Sequence, residues 1–491
     1  MHAMMSLRAT SRLSPLIRYR AKSNLAVLAE IISKNAANLE KVGQNSSTPL
    51  PSIDEPFHPQ TEAFRQDPAN AEAAAQIVAA SLQLAATLSS PMEALYHVAA
   101  GPFKGAALRV SIEANIAEIL REAGPGGLHV NDIAKQNGQD PKKLARFLRY
   151  LATNHIFQEV EPDVFRNNRI SGLLDTGKDS KAILADPDAK YDGTTGVTAI
   201  VAHHLDEITK GSVYAWEHLN DAEAKNIQDQ RGSPMAKYLG KGKNQWEWFE
   251  QPDQLPRRKR FDMAMKGAAA LQSSEAIRAG FDWSKLTKGS IVVDVGGGIG
   301  FAAASIADGF PDLHYVVQDL PGAIANAKEF WQERNPKAVE KNGVTFEAHS
   351  FLEAQPKRDV SVFFVKHIVH GFTDTYCKQI LDHLRSAATD KTVLVLPEFI
   401  VPHACRLPEA EKQARQNVPG SIDPEAPAPL LANYGSQLAY GADMAMMFGP
   451  NGQERTYREM DNLLTNSNWK ITKVHRQAGQ MSVNFYEAVP V

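Results

Sequence analysis

The segment Ile291-Val292-Val293-Asp294-Val295, running directly into Gly296-Gly297-Gly298-Ile299-Gly300, constrains this chain more than any other feature. An apolar run of that length reads as a buried strand, and the glycines after it form a turn whose bare backbone lets a ligand lie close. Residues 301–310 continue as a helix that Pro311 stops. From there the chain keeps alternating short apolar strands with helices: Ile291–Val295, 315–318, Val344–Ala348, 360–365 and 393–396. That alternation specifies a parallel sheet covered by helices on both faces. Two last strands, 470–476 and 483–489, are separated by a turn around Ala478-Gly479 that is too short for a crossover, so they pair antiparallel. The expected fold class is α/β, a Rossmann-like sheet of seven mostly parallel strands with one reversed.

In open sheets of this kind ligands bind at the carboxyl ends of the strands, at the topological switch point. The second strand ends in Gln318-Asp319-Leu320-Pro321, which sets a carboxylate 19 residues beyond Gly300, in position to accept from both hydroxyls of an adenosine ribose. A dinucleotide enzyme would carry the same acid. The first turn separates the two readings: its glycines follow G-x-G-x-G and lack the third glycine of the dinucleotide spacing. Asp294 would repel a pyrophosphate but attract the ammonium of a methionine moiety. S-adenosylmethionine is therefore favoured over NAD as cofactor.

The amino-terminal half is helical. Spacing over 24–42 is that of a helix, the Ser/Pro-rich stretch 46–59 reads as a surface linker, and 68–100 and 105–122 read as buried helices. Asn131 or Asp132 can cap a short helix closed by Gly138, and Asp140-Pro141 starts another. Leu144, Phe147, Leu148 and Leu151 form the apolar stripe of that second helix, with Lys142, Lys143, Arg146 and Arg149 on its other side. Short extended pieces at 156–160 and 164–166 complete a winged helix-turn-helix, a form often used to read DNA. Four basic residues on one helix are more commonly a solvated face. The whole chain, with 53 basic and 56 acidic side chains, also lacks the positive field that nucleic acid or an anionic membrane would require.

Two cysteines, Cys377 and Cys405, are too few for a disulfide framework or a four-ligand zinc site and suit a reducing, cytoplasmic setting. No run approaches the ~18 apolar residues of a spanning helix. Arg8, Arg12, Arg18, Arg20 and Lys22, with no acid before Glu30, have the composition of an organelle transit peptide as well as of a plain extension. The aromatics Tyr214, Trp216, Trp246, Trp248 and Phe249 read mostly as core. The proline-rich stretch 404–429 reads as an ordered excursion or a mobile loop, without an element of its own. These boundaries give an extension and linker over 1–60, a helical winged-helix part over 61–270 and a cofactor-binding part over 271–491.

The fourth strand leads into Phe364-Val365-Lys366-His367-Ile368-Val369-His370-Gly371-Phe372-Thr373-Asp374. This segment resembles the plant caffeate-type and fungal polyketide (sterigmatocystin-type) O-methyltransferases, whose mark is a lysine, a histidine four residues on, an aromatic two further and an acid four further. Glu398-Phe399-Ile400-Val401-Pro402 and Gln453-Glu454-Arg455-Thr456 resemble two more of that family's motifs, and the similarity runs over about residues 80–491. The resemblance implies a homodimer whose winged-helix part forms the dimer interface and pocket lid. It makes His370 the base that takes a proton from a hydroxyl, with Glu398 and Glu454 steadying the ring. Asp294, Gly296, Gly298, Asp319, Leu320, Ser350, Phe351 and Lys366 would hold the cofactor, and Met265, Asp443 and Met446 would line the substrate pocket. No metal is implied. The chemistry accords: a phenol, with a pKa near ~10, is a poor nucleophile at neutral pH, and imidazole is suited to accept its proton. His367 is expected to point elsewhere. The chain departs from the family at Gly371, where Asp is usual, at Phe372, where Trp is frequent, and at Ser350, where an Asp commonly accepts from the adenine amino group. Methylation of nitrogen or carbon, or a silent winged-helix regulator, are the alternatives on the same scaffold.

Overall fold

The computed structural model describes residues 22–46, 50–240, 243–270, 272–341, 343–434, 436–477 and 483–491. The basic stretch before residue 22 and the turn around Ala478-Gly479 lie outside the described residues.

Among the described residues the chain begins with helix α1 (Asn24–Asn45), which packs along α2 (Pro68–Leu88). The helix expected over 68–100 is two, because Ser90 caps a new start at Pro91 and opens α3 (Pro91–Ala99). Only one face is buried, with Ala73, Ala74, Ala75 and Ala80, whereas Val78, Leu82, Leu88, Met92, Leu95 and Tyr96 are each at least half exposed. Helix α2 is also long and apolar enough to cross a membrane, with a mean hydropathy of 1.2 over its best window, which corrects the expectation that no run qualifies. Two of its polar residues are committed to other parts of the chain, however: Gln76 accepts from Asn35 at 3.0 Å and Gln83 donates to the Pro429 carbonyl at 2.9 Å.

The helix expected over 105–122 likewise divides into α4 (Gly101–Glu113) and α5 (Ile116–Ala123) at Asn115, whose φ is 55°. The buried Lys190 fastens the break by donating to Asn115 Oδ1 and to the last-turn carbonyl of Ile112. Beyond it α6 (Val130–Asn137) and α7 (Pro141–Thr153) make the helix-turn-helix, with Gly138 left-handed at the turn and Asp140 capping α7 through the Lys143 amide at 3.0 Å. The wing is a three-stranded sheet in the order β1 (Leu128–His129), β3 (Val164–Arg166), β2 (Gln158–Glu161), all antiparallel. Arg149 is held by Glu159 and, at 2.6 Å, by Asp163, so that basic side chain is committed to its own wing and not to a phosphate.

Helix Leu255–Ala270 packs on helix Val197–His203, which continues as a π-turn over His204–Ile208. Burial opposes ionisation of Asp206 on that turn. Lys210, Arg260 and Arg257 nevertheless hold its carboxyl well below the usual range, with Arg260 Nη2 at 2.6 Å and Arg257 Nε at 2.9 Å. Trp248 and Phe249 are core, as expected, whereas Trp216 is largely exposed.

The large sheet runs β6 (Val344–Ala348), β5 (His314–Asp319), β4 (Ile291–Val295), β7 (Val360–Phe364), β8 (Val393–Glu398), β10 (Asn484–Pro490), β9 (Trp469–His475). The first five are parallel, and β10 enters antiparallel between β8 and β9. The reversed strand is thus next to last, and β9 is the edge. Direction of winding changes between β4 and β7, so the glycine turn and the segment after β7 open into one crevice. Two apolar cores, one on each face, carry the valines and phenylalanines of β4, β7 and β8.

The proline-rich excursion is more structured than expected. It contains helix Glu409–Arg415, and its Pro419 carbonyl accepts from Val474 at 2.9 Å while Arg476 Nε donates to the Gly420 carbonyl at 2.7 Å, which covers part of the β9 edge. Ala426 and Leu430 of the excursion join Leu28 of α1 and Ala80 of α2 in a separate small core.

Candidate active site

Positive φ at Gly296 (67°), Gly298 (60°) and Gly300 (76°) bends the chain sharply after β4. A Cβ at Gly300 would meet Trp331 Nε1 at 2.5 Å, so this glycine permits the strand and the helix after β5 to approach. One at Gly297 would strike the Asp294 carboxyl at 2.6 Å, since that carboxyl folds beneath the turn. Asp294 is buried with Oδ2 lacking a hydrogen-bond partner, and desolvation pushes its pKa up to about 7. A buried, unpartnered acceptor facing a bare backbone turn is what the N–H donors of a cationic ammonium would satisfy. Asp319 closes the far side: Oδ2 accepts from the Gly298 amide at 2.8 Å and Oδ1 from the Leu320 amide at 2.7 Å, which fixes the carboxylate at the mouth. Leu320 is exposed beside it, an apolar rim.

Ile368 ties the second half of the crevice to the first, because a Cβ on Gly296 would lie 2.6 Å from Ile368 Cδ1 and 3.4 Å from Phe351 Cδ1. Phe351 meets Phe372 edge to face, with ring centroids 5.6 Å apart, two aromatic walls suited to a flat base. The Ser350 hydroxyl accepts from the Leu352 amide at 3.3 Å, so its oxygen is engaged in its own turn. The partly buried Lys366 ammonium interacts with both Asp294 and Glu398, and burial lowers its pKa.

Two residues beyond Ile368, His370 Nδ1 lies 2.7 Å from Glu454 Oε1. Glu398 Oε2 is farther, 4.0 Å from the same nitrogen, and closer to His367 Nδ1 at 3.4 Å. Glu454 thus holds His370 through a hydrogen bond, whereas neither Glu398 oxygen nor His367 Nδ1 has a hydrogen-bond partner. His367 does not point elsewhere: its φ of 53° turns the side chain back, and the two imidazoles stand 5.1 Å apart. Sequence spacing conceals this, because a left-handed residue undoes the alternation by which neighbours on an extended chain face apart. His367, His370 and Glu398 offer ligand atoms within 4.8 Å of one another, a grouping a cation could bridge. Burial disfavours a charged His370 ring, but Glu454 and Glu398 outweigh it and raise its pKa to about 9. Partial burial, with Lys366 and His370 beside it, pushes the pKa of the His367 ring well down, so it stays neutral.

The remaining candidates separate. Asp443, on helix Gln437–Phe448, reaches the cluster, with Oδ1 accepting from the Glu454 amide at 3.0 Å. One of its oxygens is thus occupied in fixing Glu454. Met446 contributes its carbonyl to the Gly452 amide at 2.9 Å. Met265 is 41% exposed on helix Leu255–Ala270. Gly452 was not singled out from sequence, yet a Cβ there would come within 2.1 Å of the His370 carbonyl oxygen. At Gly371 a Cβ meets nothing within 4 Å, so the departure from Asp leaves open space.

Comparison with known proteins identifies the family. An O-methyltransferase domain model matches residues 216–418, and an O-methyltransferase dimerisation domain model matches 96–176. The chain is 41% identical over 472 residues to 4-O-methyltransferase 1 of Phanerochaete chrysosporium, covering 95% of this chain and 99% of that one. The chain belongs to the O-methyltransferase family. An O-methyltransferase of Armillaria gallica is 37% identical over 456 residues, covering 92% of this chain and 95% of that protein. Among solved structures, LepI in complex with S-adenosylmethionine has the same fold, with a TM-score of 0.64, 16% identity and coverage of 94% and 99%. This O-methyltransferase accordingly has the class I methyltransferase fold behind an amino-terminal dimerisation domain, and S-adenosylmethionine is its cofactor.

Proposed function

We propose that this O-methyltransferase methylates a phenolic hydroxyl of a small aromatic or polyketide-type molecule, with His370 as general base, and that it works as a homodimer in the cytoplasm. The observation that carries the reading is the 2.7 Å contact of His370 Nδ1 with Glu454 beside the glycine turn. A carboxylate only accepts, so Nδ1 carries the hydrogen and Nε2 is left as the free lone pair. That nitrogen receives the hydroxyl proton, and Glu454 stabilises the imidazolium that results. Asp294, Asp319, Gly296, Gly298, Leu320, Phe351 and Lys366 would hold S-adenosylmethionine, which when bound supplies a methyl group activated by a positively charged sulfur. In the free chain His370 favours the protonated form, and any further cation in the pocket drives it toward the neutral form a base requires. Glu398 acts without a hydrogen bond to the ring, through the field it adds at His370.

Dimerisation is supported by the match at 96–176 and by the apolar residues left exposed on α2, α3 and α4. The test is a His370→Ala variant assayed with labelled cofactor and a panel of phenols. Turnover is expected to fall ~10²-fold or more while calorimetry still detects cofactor binding. Full turnover in that variant, or label on nitrogen or carbon when products are read by NMR, would require another mechanism.

A further inference from the structure

Three consecutive residues of one extended segment converge on His370. The Gln453 amide donates to the His370 carbonyl at 2.7 Å, Glu454 holds the ring, and the Arg455 side chain grips the turn on both sides. Arg455 is almost wholly buried, at 1% exposure. Its Nη1 donates to the Val369 carbonyl at 2.8 Å and to the Gln453 carbonyl at 3.3 Å. Its Nη2 donates to the Phe372 carbonyl at 3.0 Å and to Asp374 Oδ1 at 2.7 Å, and Nε reaches the same oxygen at 3.0 Å. All five guanidinium hydrogens thus have acceptors, which no other side chain could supply from one position. Its backbone is fixed as well, since its carbonyl accepts from Val401 at 3.1 Å and Ile400 bridges to it, so the strand end that carries Glu398 joins the same frame.

We infer that Arg455, with Asp374 as its outer anchor, is a positioning residue for methyl transfer: it touches neither cofactor nor substrate, but it sets the distance between the His370 ring and Glu454. The inference rests on His370 being the base. Its physical content is that carbonyls one residue before and two residues after His370 are pinned to the side chain adjacent to Glu454, so base and acid cannot move independently. Misplacement on the order of 1 Å is enough to cost ~10²-fold in rate.

Arg455→Lys keeps the charge but offers three donors where five are used. Turnover is expected to drop ~10- to 100-fold with the cofactor dissociation constant nearly unchanged, and the acidic limb of the rate profile should move to lower pH as Glu454 loses its hold on the ring. Asp374 is largely exposed, so Asp374→Asn should fold readily and give a smaller loss with a shift in the same direction. If Arg455→Lys fails to fold, Asp374→Asn decides. Folded variants with unchanged turnover and an unmoved limb would overturn the inference. A fall in turnover without any movement of the limb would do so too, since that is what a loss of general packing produces. Full activity in His370→Ala would instead sink the underlying reading, so the two failures are distinguishable.

Discussion

His370 is pulled in two directions. Two carboxylates raise its pKa to about 9, which favours the proton, whereas a base must begin without one. The sign of the resulting pH dependence follows. In the free chain the ring is protonated below about 9 and becomes competent as pH rises through that value, so the rate at low cofactor concentration should climb with pH across the neutral range and level off above 9. Glu454→Gln removes the nearer anion, so the limb should shift to lower pH while the plateau falls ~10²-fold for want of a partner for the imidazolium. Glu398→Gln should move the limb in the same direction but by less, its oxygen being 4.0 Å from Nδ1 against 2.7 Å for Glu454. Rate profiles of the three proteins check this; equal effects of the two glutamines would contradict the unequal hold of the two acids on His370. That inequality was hidden in the sequence. His370, Glu398 and Glu454 stand out by pattern, but which acid bonds the ring depends on a contact between segments 84 residues apart, and the approach of His367 depends on its left-handed φ.

At the level of elements, what could be read in advance is what depends on neighbours in the chain. The strand and glycine turn at 291–300, Asp140-Pro141 at the start of α7 and the antiparallel close of the sheet follow from local residue chemistry, and the structure has them. Where tertiary partners decide, the sequence is silent. The strand order that inserts β10 between β8 and β9 is one instance, and the anchoring of α1 is another. Besides α2, helix α1 packs on Ala426 and Leu430, which lie some four hundred residues away and are invisible to local pattern. Leu28 is 1% exposed in that contact, so Leu28→Ala should cost about 2–5 kcal/mol of local stability by removing buried methyls and leaving a cavity. Because the excursion it supports leads into helix Gln437–Phe448, which carries Asp443, the same change should raise the phenol KM more than it lowers turnover. Hydrogen exchange over 404–436, together with steady-state kinetics, would detect both. Unchanged protection in the excursion would show that α1 merely rests there.

For the whole molecule, the unsolved problem of the single chain is apolar surface. Leu82, Leu88, Met92, Leu95, Tyr96, Val98 and Phe103 lie on three successive helices, each more than half exposed, an arrangement isolated soluble chains rarely keep. The alternation of the carboxy-terminal half predicts its own burial, since helices cover both faces of the sheet within one chain. The apolar residues over 68–100 are equally plain in the sequence, but periodicity says only that they are buried against something, not that the partner is in the same chain. The homodimer proposed above makes a second copy the partner, and Tyr96, Val98 and Phe103 of this face fall within the dimerisation-domain match at 96–176. Placing a charge in that face should therefore separate the copies: Leu95→Asp is expected to halve the mass measured by light scattering on a sizing column. The buried charge would have to be desolvated in the dimer but not in the monomer. Because the freed surface remains apolar, the variant should also bind a hydrophobic dye more strongly and lose Tm. A variant that kept the parent's mass and dye binding would mean these residues face solvent in the assembly, and the copies would have to meet elsewhere.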